Sequence, residues 1–286
     1  MKIKYLTKAK IVAFIDSALK EDIGDGDHSS CGAIPDTLQH EAQLLIKGDG
    51  IIAGLNLAQW IFARLDKDLK VELLKKDGEE VRIGDIGLRV SGRARSILSS
   101  ERLVLNCLQR MSGIATYTNK MCRLIHGTNV KLLDTRKTTP NFRLCEKWAV
   151  KIGGGENHRF GLYDMVMLKD NHVDYAGGIK EAITSTQKYL RDEGRDLKIE
   201  IETRNIDEVK QVMDVGGVDI IMLDNMLPSV MREAMDIIGK KYKTEASGGI
   251  TEKNIREIAE TGVDYISVGA LTHSYESIDI SLKAIK

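Results

Sequence analysis

What this 286-residue chain lacks narrows its class before any motif is found. Lysine plus arginine equals aspartate plus glutamate at 42 each, so no overall field draws the protein onto nucleic acid or an anionic membrane. Any electrostatics must therefore be local. The four cysteines, Cys31, Cys107, Cys122 and Cys145, are scattered, with no CxxC pair and no Cys/His ligand spacing. They read as idle thiols in a reducing compartment, with the cytoplasm as the default location. The opening stretch "MKIKYLTKAKIVAFIDSALKEDIG" offers only a short apolar run, Ile11 to Ile15, before Asp16, which is neither a secretion signal nor a membrane span. No GxGxxG follows the first strand of the second half, which argues against a dinucleotide fold. What remains is a globular protein, 42% hydrophobic and long enough to bury a full core in one large domain or two ordinary ones.

The chain has two rhythms. Through about residue 125, extended stretches ("EAQLLIKGDGIIAG", "KVELLKKDGEEV", "GLRVSGRARSIL") alternate with helical ones, which predicts strands packed against helices. A long helix follows in "SSERLVLNCLQRMSGIATYTNKMCRLI", with Ser99 or Ser100 as its expected cap and Ser112-Gly113 as a candidate kink. From about residue 130, six short apolar runs are separated by segments of helical periodicity such as "NIDEVKQVMDVG" and "TEKNIREIAETG". That alternation predicts a parallel sheet covered on both faces, a closed or nearly closed β/α barrel.

Nearly every one of those strands ends in groups that do chemistry: Arg136 and Lys137, Lys169, Glu200 and Glu202, Asp224, Ser247-Gly248-Gly249, and Gly269. In a parallel barrel these ends converge on one mouth. Arg136, Lys137, Arg159 and Lys169, with His158 nearby, form a cationic set suited to carboxylates and phosphates. Arg143 and Lys147, on the helix that follows, read as surface ion pairs. Glu202 and Asp224 lie on neighbouring strands and suit a magnesium ion, ribose hydroxyls or acid-base work, with Glu200 as a supporting acid. "EASGGI" opening a helix, beside Gly269 on the next strand, suits a phosphate. "GGGENHR" is no P-loop, because no Lys-Ser or Lys-Thr follows. Together these groups predict a phosphorylated ribose ligand with an acidic partner.

The stretches "DTRKTTPNFRLCEKWAVKIGGGENHRFGLYDMVMLKDNH", "MLDNM", "EASGGI" and "ETGVDYISVGALTHS", with "EDIGDGD" and "ERLVLNCLQRMSGIAT" before them, resemble the quinolinate phosphoribosyltransferases, also called nicotinate-nucleotide pyrophosphorylases (carboxylating). The likeness covers almost the whole chain. It implies an α/β sandwich domain over 1–112, joined by the C-terminal segment 272–286, and an open seven-stranded α/β barrel over 113–271. It also implies magnesium (Mg2+) and a homodimer or hexamer of dimers, with no nucleic acid or membrane partner. By the same resemblance, Arg136, His158, Arg159 and Lys169 bind the quinolinate carboxylates, and Lys137 serves binding and catalysis. Glu202 and Asp224 surround the ribose and its metal, Ser247, Gly248, Gly249 and Gly269 with His273 take the 5-phosphate, and Arg102 reaches the site of the other subunit. The chain departs from the family at Asn141, where glycine is usual after "TTP", and at "GDHSS". Asn141 still suits a type II turn, since Asn tolerates positive φ. The alternatives are a related phosphoribosyltransferase with another acceptor, a Schiff-base aldolase using Lys169, and a non-catalytic metabolite binder.

Overall fold

The computed structural model describes residue 3 and residues 5–285; Met1, Lys2, Lys4 and Lys286, at the ends of the expected 1–112 and 272–286 segments, lie outside the described residues. The chain divides into two compact units, one of residues 1–119, 138–154 and 271–286, the other of residues 120–137 and 155–270. The strands are β1 (Gln39–Ile46), β2 (Gly50–Ile51), β3 (Lys70–Leu73), β4 (Glu80–Val81), β5 (Ile86–Arg93), β6 (Lys131–Leu133), β7 (Val166–Leu168), β8 (Ile199–Thr203), β9 (Ile220–Asp224), β10 (Lys243–Ser247), β11 (Tyr265–Ser267) and β12 (Ile280–Ala284).

In the first unit an antiparallel sheet runs in the order β12-β1-β5-β3. Alternation decides its buried face: Ala42, Leu44 and Ile46 of β1 pair across the sheet with Val90 of β5 and with Leu282 and Ile280 of β12, and all are buried. The helix Leu55–Leu65 buries Leu55, Leu57, Ala58, Ile61 and Phe62. The long helix runs unbroken from Ala94 to Leu124, starting directly after β5, so Ser99 and Ser100 are internal rather than caps. Ser99 Oγ donates to Asp27, and Ser100 Oγ donates back to the Ser96 carbonyl. Gly113 makes no break. A Cβ there would meet the Glu276 carbonyl at 2.2 Å, so the glycine serves close packing against the C-terminal segment.

Residues 113–119 and 138–154, expected in the barrel, group with the first unit. The helix Arg143–Ile152 shows why: Leu144, Cys145, Trp148, Ala149 and Val150 are buried, Trp148 stacks on Trp60 at 5.8 Å, and Phe142 meets Phe14 at 5.6 Å. Each large apolar side chain so buried contributes about 1.5–3 kcal/mol. Lys147, read as a surface ion-pair residue, is fully buried, and Arg143 Nε donates to Thr138 Oγ1 at 2.9 Å. Asn141 has φ 62° and the Phe142 N–H donates to the Thr139 carbonyl at 3.1 Å, which is the type II turn that Pro140-Asn141 predicts.

The second unit is a sheet in the order β6-β11-β10-β9-β8-β7 with every pair parallel. Helices alternate with its later strands, as between β8 and β9, where Asn205 caps Ile206–Val215 by accepting from the Glu208 N–H and Gly216 ends it at φ 70°. Beyond β6 a single parallel bridge from Leu133 to Glu156 adds a one-residue seventh rung. Among the described residues no ladder joins that end to β7. The α/β barrel is therefore open, with six strands and a bridge where seven strands were expected. No helix among the described residues is long and apolar enough to cross a membrane.

Candidate active site

Strand parity builds the site. The parallel register aligns Glu202 with Met222, Met222 with Glu245, and Asp224 with Ser247, and registered residues of a parallel sheet share a face. Met167, Glu202, Met222, Asp224, Glu245, Ser247 and Ser267 therefore point the same way, and all of them line one cavity of about 630 Å³. The opposite face carries Ile201, Ile221, Leu223, Ala246 and Ile266, all buried. The strands alternate rather than run apolar on both faces, which corrects the expectation of continuous apolar strands. The inner face of this barrel is polar because it is the site.

The loop after β6 delivers the cations. Buried Asp134 accepts from Asn157 Nδ2 at 2.6 Å and from the His158 N–H at 2.9 Å, pinning "ENHR" beside "DTRK". Thr135, Arg136, Lys137, His158 and Arg159 thereby line the cavity with Lys169. Arg159 Nη1 donates to the Met165 carbonyl at 3.1 Å. Burial and the neighbouring Arg136 charge pull its pKa below the usual guanidinium value. Guanidinium and ammonium groups crowded in one cavity suit an anion bearing several carboxylates. Across the cavity Lys169 Nζ pairs with Glu202, and Asn225 Nδ2 donates to Asp224 Oδ2 at 2.7 Å. Gly248 and Gly249, at φ 88° and 61°, form the turn after β10.

Below the rim lies a buried cluster. His158 Nε2 is 2.9 Å from Glu200 and 3.4 Å from Glu245, with the histidine side chain 6% exposed and both glutamates fully buried. Burial works against the imidazolium, but the two carboxylates outweigh it and push the His158 pKa up to about 10. Burial and the Glu245 charge raise Glu200, with His158 partly offsetting them. The Arg159 N–H faces His158 Nδ1 at 2.7 Å, a geometry that suits a ring protonated at Nε2. The Arg159 N–H thus leaves the His158 proton on the Nε2 side, between Glu200 and Glu245. Sequence reasoning missed Glu245, although its place two residues before Ser247 on one strand face was a usable signal.

The family model for the quinolinate phosphoribosyl transferase N-terminal domain matches residues 27–112, and that for the C-terminal domain matches residues 114–283. The chain belongs to the quinolinate phosphoribosyltransferase family. It is 47% identical over 284 residues to the quinolinate phosphoribosyltransferase [decarboxylating] 1 of Nicotiana glauca, covering 94% of this chain and 81% of that one. It is 42% identical over 262 residues to the probable nicotinate-nucleotide pyrophosphorylase [carboxylating] of Bacillus subtilis, covering 92% and 89%. The crystal structure of NadC from Streptococcus pyogenes superposes with a TM-score of 0.91 at 37% identity, covering 98% of this chain and 99% of that one.

Of the residues singled out by resemblance to the family, the structure brings Arg136, Lys137, His158, Arg159, Lys169, Glu202, Asp224, Ser247, Gly248 and Gly249 to one cavity. Arg102 lies on the long helix and His273 in Ala270–His273, both in the first unit, and neither they nor Gly269 line it. The run Gly153-Gly154-Gly155 does not line it either. A Cβ at Gly153 would meet the Ala115 carbonyl at 2.4 Å, so that glycine serves packing. Glu202 and Asp224 are hard oxygen donors on adjacent strands, and the contacts above leave Glu202 Oε2 and Asp224 Oδ1 facing a polar cavity. That donor set fits magnesium. Burial pushes the Cys107 thiol up to about 12 and the Cys122 thiol to about 11, so neither supplies a nucleophile at neutral pH.

Proposed function

We propose that the enzyme transfers the phosphoribosyl group of phosphoribosyl pyrophosphate to quinolinate, giving nicotinate mononucleotide, pyrophosphate and carbon dioxide, a step of NAD synthesis. The observation that carries this reading is one cavity in which Arg136, Lys137, Arg159 and Lys169 with His158 face Glu202, Asp224 and a glycine turn, with Asp170 and Glu245 also in its lining. The two substrates carry about seven negative charges at neutral pH and repel each other strongly at low dielectric. Arg136, Arg159 and Lys169, with His158 beneath them, hold the quinolinate carboxylates, and holding both reactants in place supplies roughly 7–11 kcal/mol of the barrier. The ring nitrogen bonds to the ribose carbon while the bond to pyrophosphate breaks and its electron pair leaves with pyrophosphate. Glu202 and Asp224 stabilise the positive charge on the ribose. Carbon dioxide then leaves from the carboxylate beside the nitrogen, and Lys137 or Lys169 supplies the proton that the ring carbon takes up. Glu202 and Asp224 would hold magnesium, which when bound neutralises charge on the departing pyrophosphate.

Ser247, Gly248, Gly249 and Gly269, with His273, take the 5-phosphate in this reading. The enzyme works as a homodimer, alone or within a hexamer, with Arg102 reaching the partner's cavity. Its free cysteines suit the cytoplasm or another reducing compartment. Purified protein given quinolinate, phosphoribosyl pyrophosphate and magnesium should yield nicotinate mononucleotide by ultraviolet detection, and nicotinate in place of quinolinate should yield none. Folded protein inactive with quinolinate would overturn the reading. Mixed dimers of Arg102→Ala and Lys137→Ala subunits should regain part of the activity, and well-formed heterodimers that regain none would exclude a shared site.

A further inference from the structure

Asn141 and Asn225 are the non-glycine residues with positive φ among the described residues. Glycine adopts that backbone without steric cost, and asparagine only tolerates it, so an asparagine there calls for a reason in its side chain. At Asn141 the turn alone suffices. At Asn225, φ 55°, the side chain is engaged twice over. Its Nδ2 donates to Asp224 Oδ2 at 2.7 Å. Its amide also lies against the next strand's turn, because a Cβ placed on Gly248 would sit 2.2 Å from Asn225 Oδ1 and 2.4 Å from Cγ. Meanwhile the Asn225 N–H donates to the Ser247 carbonyl at 2.9 Å, prolonging the β9–β10 pairing past its last register pair, Asp224 with Ser247. Glycine at 248 is thus demanded twice, by its own φ of 88° and by the amide beside it. One residue joins the acid that ends β9 to the glycine turn that ends β10.

We propose that Asn225 is a positioning residue: it fixes the Asp224 carboxylate, leaving Oδ1 turned to the ligand, and locks that carboxylate in register with the Ser247–Gly249 turn. The inference rests on the reading above that Asp224 and this turn receive the ribose and phosphate of phosphoribosyl pyrophosphate. A strained backbone kept at a ligand site, where a glycine would relieve the strain, is a cost accepted for geometry. The acid and the phosphate turn then move as one body, and a substrate that spans both meets a preformed pair.

The test separates a backbone role from a side-chain role. Asn225→Gly keeps, and eases, the left-handed backbone while deleting the amide. Its melting temperature should stay within about 2 °C of the wild type, since no left-handed position is strained by glycine. Calorimetric affinity for phosphoribosyl pyrophosphate with magnesium should fall at least about tenfold, in keeping with the loss of one hydrogen bond to a charged group, while affinity for quinolinate stays within about twofold. Asn225→Asp keeps size and tolerance of positive φ but replaces the donor with a second negative charge. It should lose about a hundredfold, and it serves alone if the glycine variant does not fold. Unchanged phosphoribosyl pyrophosphate affinity in either folded variant, against an active wild type, would overturn the inference. Absence of product and of binding in the wild type would instead overturn the functional reading beneath it.

Discussion

Glu200 and Glu202 stand two residues apart on the same face of β8, yet they inhabit different chemistry. Glu202 is at the rim, paired with Lys169, whose side chain is 45% exposed, and it lines the open cavity beside Asp224. Glu200 is on the floor, fully buried, sharing His158 with Glu245 of β10. About two residues of strand separate an acid that meets a ligand from one that meets only protein. The lesson concerns solvent access rather than residue type. A rim carboxylate keeps an oxygen for an incoming group, and although the Glu202 side chain is itself only 10% exposed, its pair with the half-exposed Lys169 contributes modestly to stability. A floor carboxylate spends its charge on a neighbouring side chain, and its cost or benefit appears in stability and in the state of that neighbour.

The rim variants carry the largest expected effect. Glu202→Gln and Asp224→Asn should each lower kcat by about a hundredfold to a thousandfold, the scale seen when one group facing developing charge is removed. Their melting temperatures should move little. Initial rates and calorimetry on the same samples check both halves, and a large fall in stability with near-normal kcat would erase the distinction between rim and floor. A smaller effect is expected one layer down. Glu245→Gln removes one of the two carboxylates that hold His158 as a donor below the quinolinate carboxylates. KM for quinolinate should rise about tenfold while kcat changes less than about threefold. At pH 8 the variant should melt no lower than the wild type, because repulsion between two buried carboxylates is lifted. A collapse of kcat at unchanged KM would place the floor within the chemistry itself.

How much of this was legible in the sequence depended on the range of the physics involved. Strand ends were legible because the change from apolar to charged residues is local, and Lys137, Lys169, Glu202 and Asp224 all stand at such a change. Glu245 was not singled out, although it stands two residues before Ser247 on one strand face, because its contact with His158 and Glu200 spans strands that only the fold brings together. The start of the long helix was misplaced because β5 runs into it at Arg93-Ala94 without a loop, so no cap residue marks the join. The grouping of 138–154 with the first unit rests on contacts such as Trp148 with Trp60, 88 positions apart, which no local pattern encodes. The left-handed turn at Asn141 was legible because Pro-Asn is itself the signal. Asn225 gave no such signal, since its role depends on Gly248 of the next strand.

The smallest expected effect follows from the floor alone and tests it without substrate. His158 holds its proton up to about pH 10 against an ordinary 6.5, and Glu200 is raised to about 7 against 4.5. Both folded values lie above the unfolded ones, so above those unfolded values the native state binds more protons than the unfolded chain, and stability must fall as pH rises. The contribution is complete below the unfolded values and is lost through about pH 7 for Glu200 and about pH 10 for His158. The double variant Glu200→Gln, Glu245→Gln removes both carboxylates and returns His158 toward or below its ordinary value. Between pH 7 and pH 10 its melting temperature should therefore decline by roughly 5 °C less than that of the wild type, measured by scanning calorimetry at matched ionic strength. Equal slopes would mean that the proton is not held by the two glutamates, and the floor would then differ from the rim in burial alone.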